Sequence, residues 1–381
     1  MAIAIQPLRT LLVQPFQENR LRQLLSSLAT RYRPLALLLG GLAALPGYMF
    51  LFLFPVITLV LAWSLPLTLY QAGSFLDWTL LIISFSSLML CGGLSWFLFR
   101  TPIPAPRGLE LDHAMAPALF ELISELESAY GRPVVDRIVL RSQFVLEITR
   151  TPIRGMPFLT TNTLEIGLPV LLGLSPEHFK ALLARRIGQI GSRHNPVSGW
   201  LFQLRGIWQQ YRRSYARQKT LPGRILSAFF RLYTPFYLNA SVFAARLDEL
   251  EADRYALEVI NDREMAQVIS QEIVTRDFLQ RLYWPKLKQL LQRGESGRYQ
   301  PYSQMSSVLH KGIKREFVQQ SLLRALQTPQ RTGDPVPPLP RRLDHMGFGK
   351  PGTPQVLTKT AARAYLEPRS LQAITPDFDR G

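Results

Sequence analysis

Residues 181 to 190 read Ala-Leu-Leu-Ala-Arg-Arg-Ile-Gly-Gln-Ile, with Arg185, Arg186 and Gln189 at positions 1, 2 and 5 of a short motif. Residues four apart share a helix face, so His-Glu-x-x-His in this place would let two imidazoles grip one Zn²⁺ while the intervening Glu acts as general base. None of those three side chains is present. Downstream, Arg246-Leu-Asp-Glu249-Leu-Glu-Ala-Asp253 sets two carboxylates four residues apart, again on one helix face. Any chemistry here therefore joins two helices, one bearing cations and one bearing acids.

Together these segments resemble the HtpX and CAAX prenyl protease family, the M-forty-eight zinc metallopeptidases, whose motif helix typically reads Ala-Val-Leu-Ala-His-Glu-Leu-Gly-His-Ile. The resemblance covers roughly residues 100 to 347. It includes Leu111-Asp-His-Ala-Met-Ala-Pro-Ala-Leu-Phe120, Pro133 to Leu140, and Leu164-Glu-Ile-Gly-Leu-Pro-Val-Leu-Leu-Gly-Leu-Ser-Pro176 before the motif. After it come Trp200 with Arg205, the Glu249 to Asp253 segment, and Val336-Pro-Pro-Leu-Pro-Arg-Arg342-Leu.

The resemblance implies a role for each position. Arg185 and Gln189 stand at the two His-ligand positions, Arg186 at the general base, and Glu249 at the third ligand. Asp253 stands where the family has an acid that orients the first His. Val336 replaces a His and Arg342 keeps an Arg, a pair that in the family steadies the tetrahedral intermediate. An Asn-Ala pair on the substrate-binding edge strand would fall at Val145 and Leu146. Only Glu249, Asp253 and Arg342 are retained, so the resemblance implies a lost metal site, with no cofactor expected; zinc belongs to the alternative of a working peptidase.

The elements that must carry these positions begin at a membrane. The chain has 381 residues, 47% of them hydrophobic, and no charge from Pro34 to Tyr70 or from Trp78 to Phe99. A membrane-crossing helix needs about 20 such residues. Gly40, Gly41, Pro46 and Gly47 punctuate the first run, which predicts helices over roughly 47 to 70 and 78 to 99. Arg9, Arg20, Arg22, Arg31 and Arg33 precede the first run, Arg100 and Arg107 follow the second, and residues 71 to 77 hold no Lys or Arg. By the excess of basic residues on the inner side, both termini and the main domain are expected in the cytoplasm, anchored to the inner membrane if the source is bacterial. The segment before Pro34 lacks the pattern of a cleavable signal peptide. The single Cys91 lies inside the second run, so no intramolecular disulfide can form.

The formal charge is +17. Its distribution is uneven: from Lys180 through Arg246 there are twelve Lys and Arg and no acid. Beside a membrane anchor, Arg212, Arg213, Arg217 and Lys219 are candidates for contact with anionic lipid, worth about 1 kcal/mol each near the surface. A solvated basic face is the alternative. No nucleic-acid recognition module accompanies the charge.

Apolar spacing predicts a helix from Ala114 to Tyr130, short strands at 137–140, 144–149 and 164–166, and a helix capped by Ser175 that carries Arg185. Residues 225 to 245 read as a buried or interfacial helix interrupted by Arg231 and Pro235, and Met265 to Arg293 as another helical region. Thr328 to Pro340 is a proline-rich connector, and the pattern beyond Lys350 is weak enough to predict partial disorder. The expected architecture is α+β, mainly α: a basic tail over 1–33, a transmembrane helical hairpin over 34–99, a gluzincin-type peptidase domain with a small β-sheet over 100–347, and a C-terminal tail over 348–381.

The histidines are His113, His178, His194, His310 and His345. At about 100° per residue, His194 points about 180° from Arg185, and His178 lies about 10 Å back along the axis. Neither can substitute for a ligand held at about 2 Å. No Gly-x-Ser-x-Gly elbow is present and Cys91 belongs to the apolar run. The expected function is non-catalytic: binding or regulating membrane proteins or an active relative. The alternatives are a zinc-dependent endopeptidase of membrane-protein quality control and an anionic-lipid-binding scaffold.

Overall fold

A computed structural model describes residues 33–71, 73–131, 133–191, 196–259, 264–292, 300–331 and 333–380. The basic tail before Arg33, together with Arg193 and His194, lies outside the described residues. The chain is mainly helical with one small mixed sheet.

Two N-terminal helices, α1 (Arg33–Gln71) and α2 (Phe75–Arg100), are long and apolar enough to cross a membrane. Ser74 caps α2 and Asp77 returns the bond to the Ser74 amide, so the connecting turn is closed by its own side chains. The glycines and Pro46 were expected to delay α1 until about residue 47, but the helix runs unbroken from Arg33. The physical reason is tertiary. Ala36, Ala43 and Ala44 are buried against the domain, a Cβ on Gly47 would meet the Tyr233 ring, and the Tyr233 hydroxyl donates to Ala43 O at 2.9 Å beside Pro46. Small residues here admit a neighbouring helix instead of ending their own.

The domain follows with β1 (Leu109–Glu110), α3 (Pro117–Tyr130), β2 (Arg137–Arg141), β3 (Leu146–Ile153) and β4 (Met156–Gly167). The sheet order is β1-β2-β4-β3, with β2 and β4 parallel and the other pairs antiparallel. Strand β3 is an edge, and β4 is far longer than the three residues its apolar run predicted. Polar Thr160 to Thr163 continue the ladder because β3 supplies their hydrogen bonds.

Helices α4 (Leu168–Gly173), α5 (Pro176–Gly191), α6 (Pro196–Tyr215), α7 (Leu221–Ala240) and α8 (Val242–Val259) build the centre. Ser175 caps α5, its hydroxyl accepting from the His178 amide at 3.2 Å. The helix expected over 225 to 245 is two, since Ser241 separates α7 from α8, while Arg231 and Pro235, expected to interrupt it, both sit inside α7. Next come α9 (Met265–Phe278), a π-helical turn (Leu279–Tyr283), α10 (Trp284–Gln292), α11 (Pro301–His310), α12 (Arg315–Gln327) and α13 (Leu339–His345).

The C-terminal segment corrects another expectation. Instead of a partly disordered tail it forms α14 (Ala361–Tyr365) and α15 (Pro368–Arg380). Leu357, Ala361, Ala362, Leu366 and Ile374 enter the main core, Ala361 N donates to Leu174 O at 2.8 Å, and Asp379 accepts from Tyr302 N at 2.6 Å. Leu371, Ile374 and Phe378 recur at i, i+3 and i+7 on the inner face of α15, a helical period the sequence reading passed over. A second, aromatic core of Trp208, Tyr211, Tyr215, Phe230 and Tyr237 joins α6 and α7 to Leu51 of α1 and Leu98 of α2.

Candidate functional site

Helices α5 and α8 pack side by side, and their facing residues are those the motif spacing singled out. Arg185, on the buried face of α5, donates from Nε to Asp253 Oδ1 at 2.6 Å and from Nη2 to Glu249 Oε2. Gln189, one turn further, donates from Nε2 to Glu249 Oε1. Both Glu249 oxygens are thus engaged. From α13, Arg342 closes on Asp253 as a two-pronged pair, with Nε to Oδ2 and Nη2 to Oδ1 both at 2.8 Å. Arg185, Glu249, Asp253 and Arg342 are 2%, 3%, 0% and 6% exposed, so two guanidiniums and two carboxylates neutralise one another inside the core.

The electrostatics follow from that arrangement. Burial pushes the Asp253 carboxyl up, but the charges of Arg342 and Arg185 outweigh it and hold its pKa at about 2. Burial opposes the Arg185 charge as well, and Asp253 and Glu249 still carry its pKa above the ordinary value. Arg186 behaves differently: burial, then the neighbouring Arg185 charge, lowers its pKa. It is half-buried, donates to Gln189 Oε1 at 3.0 Å, and faces a cleft of about 800 Å³.

That cleft runs from the Arg186 and Gln189 end of α5, past Glu147 to Arg150 on the β3 edge, to Arg213 at the end of α6 and Arg217 in the turn after it. Val336 is exposed on its rim. Of Val145 and Leu146, at the Asn-Ala positions of the resemblance, the first immediately precedes β3 and the second begins it, buried. Arg342 lies behind the cleft with its guanidinium committed to Asp253, a contact the sequence reading missed. No motif spacing joins α13 to α8.

Sequence reasoning also missed a carboxylate beside the site. Asp248 is 4% exposed and takes a hydrogen bond from Ser198. Burial lifts its pKa to about 7, against the lowering pull of that bond. Its neighbours in sequence gave no sign of this, because burial of one acid beside Glu249 depends on α6 packing over α8.

The basic block does not act as one surface. Arg185 is in the ion-pair core, Arg205 donates to Leu238 O and Ser241, Arg246 to the Arg331 and Asp334 carbonyls, and Lys180 to Glu125. Arg212, Arg213, Arg217 and Lys219 are exposed at the end of α6 and the turn after it, where the Tyr215 hydroxyl reaches Leu98 O of α2 at 3.4 Å.

The four described histidines stay apart. His178 is buried at the start of α5, His310 contacts Thr358 O at 2.8 Å, His113 lies against Phe120, and His345 ends α13. Among the described residues no three His, Cys, Asp or Glu side chains converge as a ligand set. Zn²⁺ does not fit the residues that are present, because the Arg185 guanidinium fills the space between the two acids and both Glu249 oxygens already accept hydrogen bonds. Comparison with protein-family models, curated proteins and solved structures found no match to this chain.

Proposed function

We propose that this chain is a membrane-anchored, non-catalytic relative of the zinc metallopeptidases it resembles, one that binds segments of membrane proteins or modulates an active relative. The observation that carries this is the position of Arg185. A fixed guanidinium between Glu249 and Asp253 supplies the positive charge those acids need, and it offers no open coordination position and no activated water. The general-base position holds Arg186, a permanent cation that cannot accept a proton. The cleft beside it keeps the β3 edge and a volume suited to a chain segment.

Both ends of the helical pair belong on the cytoplasmic side under this proposal. The support is charge: Arg100 and Arg107 follow α2, and the exposed basic residues of the α6–α7 turn sit beside Leu98 at the same end.

The deciding experiment uses full-length protein in lipid nanodiscs. Metal analysis is expected to find zinc well below one per chain, and casein and unfolded membrane segments are expected to remain intact. Proteolysis that a chelator stops and that Glu249→Gln abolishes would overturn the proposal in favour of a working peptidase.

A further inference from the structure

The β3–β4 hairpin ends against the two apolar helices, not in solvent. Its tip is Arg154-Gly155, both left-handed, with φ of 48° and 68°. The Tyr211 hydroxyl of α6 donates to Gly155 O at 2.6 Å, and a Cβ on Gly155 would collide with the Leu98 carbonyl of α2, so the tip is pressed onto that helix. Three residues after Gly155, the Phe158 ring on β4 stacks on Phe52 of α1, centroids 6.4 Å apart and planes at 8°.

Three large apolar side chains nevertheless remain bare there: Ile153 at 44%, Phe158 at 58% and Leu159 at 47% exposure. In a half-buried hairpin these positions would carry polar groups. The depth of the hairpin in the molecule explains why they do not. Helix α1 has 39 residues, about 58 Å at 1.5 Å each, nearly twice the roughly 30 Å hydrocarbon core of a bilayer. One face of its first half packs on the domain through Ala36, Ala43, Ala44 and Leu51, while Leu38, Leu42, Leu45 and Met49 on the other face stay exposed. About 20 residues counted back from Gln71 place the membrane boundary near Leu51, at the level of Phe52 and of Arg100, which ends α2 and lies over Trp96.

The geometry points to a third membrane contact: the β3–β4 tip is a shallow wedge whose Ile153, Phe158 and Leu159 enter the interface between acyl chains and headgroups. Lipid is the occupant because the patch is continuous with the lipid-facing flanks of α1 and α2. Interfacial elements bury their apolar side about 5–10 Å deep. Arg154 at the tip reaches the headgroups along its flexible stem, as basic residues at boundaries do. The wedge would fix the domain's tilt on the membrane and so the direction in which the cleft opens, since residues 147 to 150 of the same strand line that cleft. This inference rests on α1 and α2 spanning a bilayer.

Site-directed spin labelling tests it in full-length protein carrying Cys91→Ala, reconstituted in nanodiscs. Single cysteines at 158, at exposed 59 in the second half of α1, and at exposed 350 would be labelled. Their collision rates with oxygen, which concentrates in lipid, and with a water-soluble nickel chelate are compared. The expected result is an oxygen preference at 158 matching that at 59 and clearly above that at 350. A label at 159 repeats the measurement should Phe158→Cys fold poorly. If 158 and 159 read like 350 while 59 reads as lipid, the wedge is wrong and the spans stand. If 59 also reads as water-exposed, the spans fail and the wedge with them.

Discussion

Arg185 and Asp253 are 68 positions apart and meet at 2.6 Å with both side chains almost wholly buried. The same Asp253 is gripped from the other side by Arg342, and the same Arg185 reaches on to Glu249. A cation held by two acids of α8 and an acid held by two cations tie α5, α8 and α13 into one unit. Removing any member leaves a charge stranded in the core.

Arg185→Ala is therefore expected to destabilise the protein by about 3–5 kcal/mol, the cost of breaking a buried pair from one side. Adding Glu249→Gln should return part of that loss, because one of the two stranded carboxylates becomes neutral. Thermal unfolding in detergent reports both. Arg185→Ala melting with the parent would show that the ion-pair core contributes nothing.

Reinstating the missing ligands tests the resemblance directly. Arg185→His, Arg186→Glu and Gln189→His together place two imidazoles one turn apart, opposite the freed Glu249. The triple variant is expected to hold about one zinc per chain, whereas the same three changes with Glu249→Gln should bind far less. Equal metal content in the two would mean that Glu249 is not placed as a ligand.

The two buried acids respond to pH in opposite senses. Asp253 is held at about 2, below the usual carboxylate value, so its contribution is complete above about pH 4 and is lost as pH falls toward 2. Asp248 is raised to about 7, so the folded state binds its proton more tightly than the unfolded state. Stability falls as pH climbs from about 4 through 7. Asp248→Asn should remove that upper limb, worth at most roughly 4 kcal/mol for a displacement of this size. Melting profiles that fall alike in parent and variant between pH 5 and 8 would assign the limb to other groups.

Topology is open to reporter fusions at residue 20, in the turn near Gly73, and at the C-terminus. The first and last are expected to read cytoplasmic and the middle one external. An exported C-terminal reporter would require a third crossing, for which α7 is the available helix.

Neutralising Arg212, Arg213, Arg217 and Lys219 together should weaken contact with anionic lipid, by about 1 kcal/mol per residue near the surface. Hydrogen exchange over 212–220 is expected to be slower in anionic than in neutral nanodiscs, in a salt-sensitive way, and the difference should vanish in the quadruple variant. Exchange that ignores lipid charge would mark these residues as a solvated face.

Several features were legible from residue types alone. The charge-free runs gave the two apolar helices because length and hydropathy are local properties. The i, i+4 spacings of Arg185 with Gln189 and of Glu249 with Asp253 fixed which side chains share a face, since helical period is local too. What brought those faces together was packing between segments far apart in the chain. Gly47 and Pro46 read as helix-breaking until Tyr233 of α7 accounts for them. In the last segment the helical spacing of Leu371, Ile374 and Phe378 was legible, but where it docks was not, because its partners lie in the main core. Arg342 and Asp248 owe their roles to the elements that cover them. Charge sign is written in the sequence; whether a charge is paired, bare or buried was decided only by the fold, because desolvation depends on every element packed around it.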